Sequence, residues 1–299
     1  MLGEQIGFEP GLNSYSNANA WWLAEFCRLV YRIDDQLNRK AKLSADIDCA
    51  LASAGFRIAR ILFDPSTSTR AVVFTATRNF KADSKPVTLL VFCGTNAVLD
   101  WRMNIQSLQD SFIGASRVHT GFKKCYESLA GQIQSLLPSE GTLILAGHSL
   151  GAALATLATA ALNQSADVVQ ACYSYGSPRI GDRQFVDQLM ELPIYRLVNN
   201  CDVVTGIPLS LGPSEYLHPD GAVFFSQDGE FVIDMSDAEL QERQLTYVPQ
   251  LKKYAELTSF IERMKSLHTE LPVYLADHAI ANYRSRIAGQ LVIETDLSP

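Results

Sequence analysis

The stretch LILAGHSLGAAL, residues 143–154, decides how the rest of the sequence is interpreted. Four apolar residues are followed by a histidine and a serine between two glycines, and then by an alanine-rich run. A short apolar run favours a buried strand, whereas alanine and leucine favour a helix. The stretch therefore predicts a strand, a sharp turn at Ser149 and a helix. A polar turn in so apolar a segment needs a functional reason.

The segments on both sides continue this alternation. Beyond the stretch itself we expect strands over 57–64, 70–80, 86–95, 168–176 and 193–200, helices over 17–33, 122–137, 183–192 and 278–287, and a hairpin around Asp228 and Gly229. Asn17 or Asn19 is expected to cap the first helix. Alternating strands and helices predict a mostly parallel central sheet with helices on both faces, the α/β class. We expect residues 1–299 to form one such domain, with a helical elaboration at about 236–270.

The composition limits the class of protein. The 299 residues are 47% hydrophobic and 19% charged, which is typical of a globular domain rather than a disordered or fibrous chain. Asp and Glu outnumber Lys and Arg by 32 to 25, so no nucleic-acid partner is expected. The six cysteines are scattered without a C-x-x-C pair and therefore predict neither a zinc site nor a redox motif.

Location can also be predicted from the sequence. The first 26 residues show no basic segment followed by an apolar one, so no signal peptide is expected. No apolar run reaches the roughly 18 residues that span a bilayer, so no transmembrane segment is expected. With scattered cysteines that we expect to be reduced, these features favour a cytoplasmic location, and secretion without a classical signal peptide is the alternative.

The pattern G-x-S-x-G, formed by Gly147, Ser149 and Gly151, is typical of the nucleophile elbow of α/β-hydrolases. In that turn the strand and the helix pack so closely that a Cβ at either glycine would collide. The serine lies at a helix N-terminus, where backbone N–H groups and the helix dipole favour developing negative charge. Three fixed positions are a weak pattern alone, but the strand before them and the helix after them agree with it. We therefore predict that Ser149 is a nucleophile.

A serine nucleophile needs a base that is itself oriented by an acid. In this fold class the chain order is serine, acid and histidine, so the base must follow Ser149. His218 and His278 are the main candidates, and His268 is a weaker one near the end of a helix that we expect to be solvated. His148 adjoins the serine, but its side chain is expected to point away.

The order of the predicted elements selects two candidates for the acid. Asp202 follows directly after the apolar strand YRLVNN, at the carboxyl end, where α/β sheets collect their functional groups. Asp182 follows the preceding strand and turn and is the second candidate.

Six segments occur in a fixed order along the chain: VFCGTNAVLDW (91–101), RVHTGF (117–122), LILAGHSLGAALA (143–155), YSYGSPRIGD (173–182), YRLVNNCDVV (195–204) and LADHAIANY (275–283). Together they resemble the class 3 lipase family, the α/β-hydrolases that include fungal triacylglycerol lipases. They look like that family's oxyanion, V-H-x-G-F, elbow, G-S-P-R, acid and histidine segments. Six ordered matches are far more specific than the elbow alone.

The resemblance implies a role for individual residues. It implies that His278 is the base, and that His218 is structural or lines the pocket. It implies that Asp202 is the acid. It also implies that the backbone N–H groups of Thr95 and Leu150 form the oxyanion hole.

Residues 97–105, AVLDWRMNI, stand where the family carries its lid. Val98, Trp101 and Ile105 fall on one helical face at i, i+3 and i+7, so a short helix would present an apolar surface there. We assign these three residues, with Leu99, to a lid or to substrate binding. A moving lid favours long-chain substrates and transient contact with a lipid interface, whereas a face packed on the protein favours soluble short-chain esters.

The residues and the resemblance together predict a serine hydrolase that cleaves carboxylic esters, foremost a triacylglycerol lipase. The expected partner is an ester or lipid substrate, and neither a metal nor an organic cofactor is required. A short-chain carboxylesterase or a phospholipase is the alternative, followed by an acyltransferase and a catalytically idle binding module.

Overall fold

The computed structural model describes residues 6–80, 85–94, 108–137, 140–164, 166–208, 215–245 and 276–296. The strands are β1 (Phe56–Asp64), β2 (Thr69–Ala76), β3 (Val87–Phe92), β4 (Gln109–Ser111), β5 (Arg117–His119), β6 (Thr142–His148), β7 (Val169–Tyr175), β8 (Ile194–Asn199), β9 (Ala222–Phe225) and β10 (Phe231–Met235). The helices are α1 (Asn17–Asn38), α2 (Ala45–Ala54), α3 (Thr120–Gln134), α4 (Leu150–Leu162), α5 (Arg183–Leu189), α6 (Asp237–Leu245) and α7 (Ile280–Asp296).

Eight strands form one sheet in the order β1-β2-β3-β6-β7-β8-β9-β10. The five central strands, from β3 to β9 in that order, run parallel, whereas antiparallel pairing joins β1 to β2, β2 to β3 and β9 to β10. Each predicted strand is present, as is the hairpin around Asp228 and Gly229, but β2 ends at Ala76 rather than at the predicted 80 and β3 covers only 87–92 of the predicted 86–95. The separate β4–β5 ribbon is not predictable from the sequence, because its three-residue strands are too short for a periodic pattern.

Both faces of this sheet are covered by helices. Leu89 and Val91 of β3 belong to the core cluster that includes residues of α1, α2 and α7, whereas Leu90 and Phe92 belong to the cluster that includes residues of α3, α4 and α5. Successive residues of a strand point to opposite faces, so one strand contributes to two cores. Burial on both faces explains why β6 is continuously apolar from Leu143 to Ala146.

The helix ends differ from the sequence prediction in several places. The first helix, α1, runs to residue 38 rather than 33, α3 covers 120–134 rather than 122–137, and α5 ends at 189 rather than 192. Ser16, not Asn17 or Asn19, caps α1, so that prediction is wrong; the Ser16 side chain accepts from the Asn19 backbone N–H. The Asn19 side chain instead binds the backbone N–H and C=O of Glu9, both at 2.8 Å. The last helix runs to residue 296, beyond the predicted 287.

The described residues cover only part of two further predictions, the helical elaboration and the absence of a transmembrane segment. The helical elaboration expected over 236–270 begins with α6, and residues 246–275, which include His268, lie outside the described residues. Among the helices of the described ranges, none is both long and apolar enough to cross a membrane.

Candidate active site

The serine turn between β6 and α4 has the strained geometry of an elbow. Ser149 has φ 60° and ψ −126°, a region that non-glycine residues rarely adopt and that costs about 1–3 kcal/mol. A Cβ at Gly147 would overlap the carbonyl of Gly151, and a Cβ at Gly151 would overlap the carbonyl of Phe92. The steric reason for both glycines is therefore confirmed.

The Ser149 hydroxyl lies buried at this turn. Ser149 is 1% exposed, and its backbone N–H donates to the Tyr175 carbonyl at 2.9 Å. Within the described part of the chain its Oγ has no hydrogen-bond partner. Leu150 is the first residue of α4, where backbone N–H groups lack intrahelical acceptors. Thr95 lies outside the described residues, as do Val98, Leu99, Trp101 and Ile105 of the predicted lid.

An acid and a histidine meet at the same end of the sheet. Asp202, fully buried, follows β8, and His278 precedes α7. His278 Nδ1 lies 2.9 Å from Asp202 Oδ1 and 2.8 Å from Oδ2. An ionised carboxylate can only accept, so Nδ1 carries the hydrogen of the neutral ring and Nε2 has a free lone pair. That Nε2 is buried and has no hydrogen-bond partner among the described residues.

Asp202 is kept ionised by its partners. Burial raises its pKa, but the charge and hydrogen bond of His278 and the bonds from Tyr283 and Val204 outweigh burial, so the pKa is lowered. Tyr283 Oη donates to Oδ2 at 2.6 Å, and the Val204 backbone N–H donates to Oδ1 at 2.9 Å. Gly176 has φ 56°, and a Cβ there would come within 2.6 Å of Oδ2.

The segment before His278 is hydrogen-bonded to the residues at the end of β8. Asp277 Oδ2 accepts from Asn200 Nδ2 at 2.8 Å and from the Cys201 backbone N–H at 3.3 Å. Asn199 Nδ2 donates to the Asp277 carbonyl at 2.8 Å. These bonds hold Asp277 against the three residues that precede Asp202. They therefore fix the position of His278 relative to Asp202.

The other candidates for acid and base have different partners. Asp182 caps α5, where its side chain accepts from the Phe185 N–H at 2.9 Å. His218 Nε2 donates to the Thr205 carbonyl at 2.8 Å. Burial, followed by two nearby arginine charges, holds the pKa of His218 well below its ordinary value. The structure thus pairs Asp202 with His278 and leaves Asp182 and His218 in structural contacts.

Tyr283 and Gly176 are site residues to which the sequence analysis gave no role. Tyr283 stands in the quoted segment LADHAIANY, five residues after His278, but only the fold shows that its hydroxyl reaches Asp202. Gly176 stands in YSYGSPRIGD, and its positive φ is not readable from sequence. A glycine directly after a central strand was the available signal.

Three buried histidines should make the fold sensitive to acid. Burial lowers the pKa of His119 to about 4 and that of His148 to about 3, and that of His218 is also lowered. In the unfolded chain a histidine titrates near about 6.5, so below that pH the unfolded chain binds more protons than the folded one. Their contribution to stability is therefore complete above about pH 6.5 and is lost as the pH falls toward the folded values.

His119→Asn tests this dependence. Asparagine retains a side-chain acceptor for the N-terminus of α3, which His119 Nδ1 now supplies, but it does not titrate. Between about pH 6 and pH 5, the free energy of unfolding of the variant should fall less steeply than that of the parent, with a difference of about 1 kcal/mol per pH unit. Urea unfolding across that range measures both slopes. Equal slopes would show that His119 is already charged in the folded protein.

The fold and the site together define a class of protein. A mostly parallel sheet, a strained serine after a central strand and an Asp–His pair at the same end are the features of an α/β-hydrolase. Residues 89–211 match the family model described as lipase (class 3), so this part of the chain is similar to that family. The predicted resemblance is confirmed.

Individual relatives agree with this assignment. The chain is 30% identical over 125 residues to the secreted mono- and diacylglycerol lipase 1 of Fusarium solani, which is 38% of this chain and 37% of that protein. It is 32% identical over 149 residues to the chloroplastic phospholipase A(1) DAD1 of Arabidopsis thaliana, 40% of this chain and 33% of that protein. The chain thus spans little more than a third of the length of these curated relatives.

A solved structure agrees on the fold. The Rhizomucor miehei lipase in its propeptide complex superposes with a TM-score of 0.56 at 20% identity, over 76% of this chain and 78% of that chain. At this identity the similarity concerns the fold, and it confirms the predicted α/β-hydrolase class.

Proposed function

We propose that the protein hydrolyses carboxylic esters, as a triacylglycerol lipase, through an acyl-enzyme intermediate on Ser149. The observation that carries the proposal is the buried Asp202–His278 pair, which lies at the same end of the sheet as the strained serine. Acyl transfer requires a hydroxyl and a base with a lone pair, and Ser149 Oγ and His278 Nε2 both lack a hydrogen-bond partner among the residues that the structure describes. In structures without substrate, the bond between such groups is often long and tightens only when substrate binds.

The proposed reaction has two halves. Ser149 Oγ attacks the ester carbonyl carbon while His278 Nε2 takes its proton; the ester C–O bond then breaks, and the alcohol leaves with that proton. Water attacks the acyl carbon next and gives a proton to Nε2; the bond between that carbon and Ser149 Oγ then breaks, Nε2 returns the proton to Oγ, and the acid leaves. Asp202 holds Nδ1–H and stabilises the charged ring. The N–H groups of Thr95 and Leu150 stabilise the oxyanion by about 3–4 kcal/mol each.

A phospholipase is the second candidate, because one of the relatives is named a phospholipase A(1). Such an enzyme would use the same chemistry on a phospholipid ester. A lid over 97–105, formed by Val98, Leu99, Trp101 and Ile105, would favour either lipid over a short-chain soluble ester and would give the protein a transient contact with the lipid interface.

The substrate proposal predicts a rate that depends on chain length and on the interface. Initial rates on p-nitrophenyl esters from acetate to palmitate should rise with chain length and increase sharply once the substrate aggregates. Rates on triacylglycerol emulsions and on phospholipid vesicles separate the two lipid classes, with Ser149→Ala as the control. Turnover confined to short soluble esters would identify a carboxylesterase. Product only with an added alcohol would identify an acyltransferase, and no Ser149-dependent turnover would leave the idle binding module.

Domain organisation and location are proposals of the same kind. We propose one α/β-hydrolase domain over 1–299. Secretion gains support from the relative in Fusarium solani, which is named as secreted, whereas the cytoplasmic prediction rests on the sequence alone. Fractionation of cells and medium from the native host, followed by detection of the chain, distinguishes the two locations.

A further inference from the structure

His148, the residue before the nucleophile, lies against the catalytic histidine. Its side chain was expected to point away from the serine; it is 5% exposed, and its ring centroid lies 4.5 Å from that of His278, with 34° between the planes. Its Nε2 lies 2.6 Å from the backbone carbonyl oxygen of His278. The reaction proposed above makes no use of His148, so this buried contact needs a separate explanation.

The hydrogen on His148 can be assigned from its two partners. The His278 carbonyl oxygen only accepts, so His148 Nε2 must donate and carries the hydrogen. Burial, with His278 beside it, lowers the pKa of His148 to about 3, so the ring is neutral. Nδ1 is therefore the bare nitrogen. It lies 2.9 Å from Tyr31 Oη, which must be the donor to it.

Tyr31 joins the first helix to two parts of the site. It stands on α1, 117 residues before His148, and its hydroxyl is placed so that a Cβ at Gly94 would overlap it. Gly94 directly precedes Thr95, to which the oxyanion role is assigned. The same Cβ would also lie 2.7 Å from the His148 carbonyl. One hydroxyl thus lies against both the oxyanion segment and the histidine that binds the base.

We propose that Tyr31 and His148 are positioning residues for His278. His148 fixes the backbone of His278 by donating to its carbonyl, whereas Asp202 fixes the orientation of its ring. This inference rests on the proposed function, in which His278 is the base. Tyr31 donates to Nδ1 and so selects the tautomer of His148; the opposite tautomer would turn a lone pair toward the His278 carbonyl. Reacting groups lose about 10²-fold in rate when displaced by about 1 Å, so this support matters to the turnover rate.

Two substitutions at one position separate the two contacts of His148. In His148→Gln, the side-chain NH₂ takes the place of Nε2 and retains the donor to the His278 carbonyl. In His148→Asn, the shorter side chain offers its oxygen to Tyr31 but cannot reach that carbonyl. Tyr31→Phe removes the donor that selects the tautomer and leaves all other side chains in place.

We expect His148→Gln to keep kcat close to the parent value and His148→Asn to lower it by about 10²-fold with little change in KM. Tyr31→Phe should lower kcat by up to about tenfold, the value of one hydrogen bond. Rates are expressed per active site, titrated with an organophosphate that labels Ser149. A purely structural role would reduce the titratable fraction or the thermal stability and leave kcat per site unchanged, and that result would overturn the proposal.

A second readout does not depend on turnover. The Nδ1–H proton shared by His278 and Asp202 should give a low-field NMR resonance that His148→Gln retains and His148→Asn shifts or loses. If the parent shows no Ser149-dependent hydrolysis, the proposed function fails, but this resonance still tests the contact. An unchanged resonance in His148→Asn would overturn the positioning role, whatever the activity.

Discussion

Ser149→Ala should lower kcat for ester hydrolysis by on the order of 10⁶-fold, and His278→Ala should lower it nearly as much. The two side chains act as one unit, since the hydroxyl is a poor nucleophile unless a base removes its proton. The strained backbone of Ser149 and the helix N-terminus after it remain in both variants, so residual catalysis comes from binding and the oxyanion hole.

The double variant gives the sharper test of this unit. If the two residues share one function, Ser149→Ala with His278→Ala should be no slower than either single variant. Independent roles would instead multiply the two losses. His218→Gln is the matched control, since glutamine retains a donor for the Thr205 carbonyl and leaves the Asp202–His278 pair untouched. A greater loss in His218→Gln than in His278→Ala would show that the base was wrongly chosen.

The parts of this site that the sequence predicts are those with local causes. The apolar run of β6, the two glycines that avoid a backbone collision and the alanine-rich helix lie within the 20 residues 143–162, and each follows from periodicity or steric space. The fold class follows from repeating that local pattern. For the same reason Ser149 could be singled out without knowledge of any other part of the chain.

The contacts that complete the site join residues far apart in sequence. Tyr283 reaches Asp202 across 81 positions, Tyr31 reaches His148 across 117, and His148 reaches the His278 carbonyl across 130. No period or spacing encodes such pairs. The choice between Asp182 and Asp202 shows the same limit, because both follow a strand and only the approach of α7 gives Asp202 its histidine.

Asp202→Asn should lower kcat by on the order of 10⁴-fold, since it places the wrong hydrogen on His278. The Val204 backbone N–H donates to Oδ1 and cannot turn away, so the amide oxygen of asparagine must occupy that position. The NH₂ group then takes the place of Oδ2, 2.8 Å from His278 Nδ1, and donates to it, while the Tyr283 hydroxyl, which donates to Oδ2 in the parent, must turn its hydrogen away. The ring must carry its hydrogen on Nε2, where it can no longer accept the proton of Ser149.

Asp182→Asn provides the matched control for this substitution. Asp182 caps α5 through Oδ1, which asparagine can replace, and asparagine loses only the acceptor that Oδ2 offers to the Arg117 N–H at 3.2 Å. Neither contact involves Asp202 or His278, so the activity of this variant should equal that of the parent. Steady-state kinetics on one ester, with rates per titrated site, compare the two variants directly. Because the amide is close in shape to the carboxylate, the Asp202→Asn variant should still fold and bind substrate. The substitution should therefore lower kcat and leave KM nearly unchanged. If Asp202→Asn kept kcat within about tenfold while Asp182→Asn lost far more, the acid would have to be reassigned, and the contact of Asp202 with His278 would be structural.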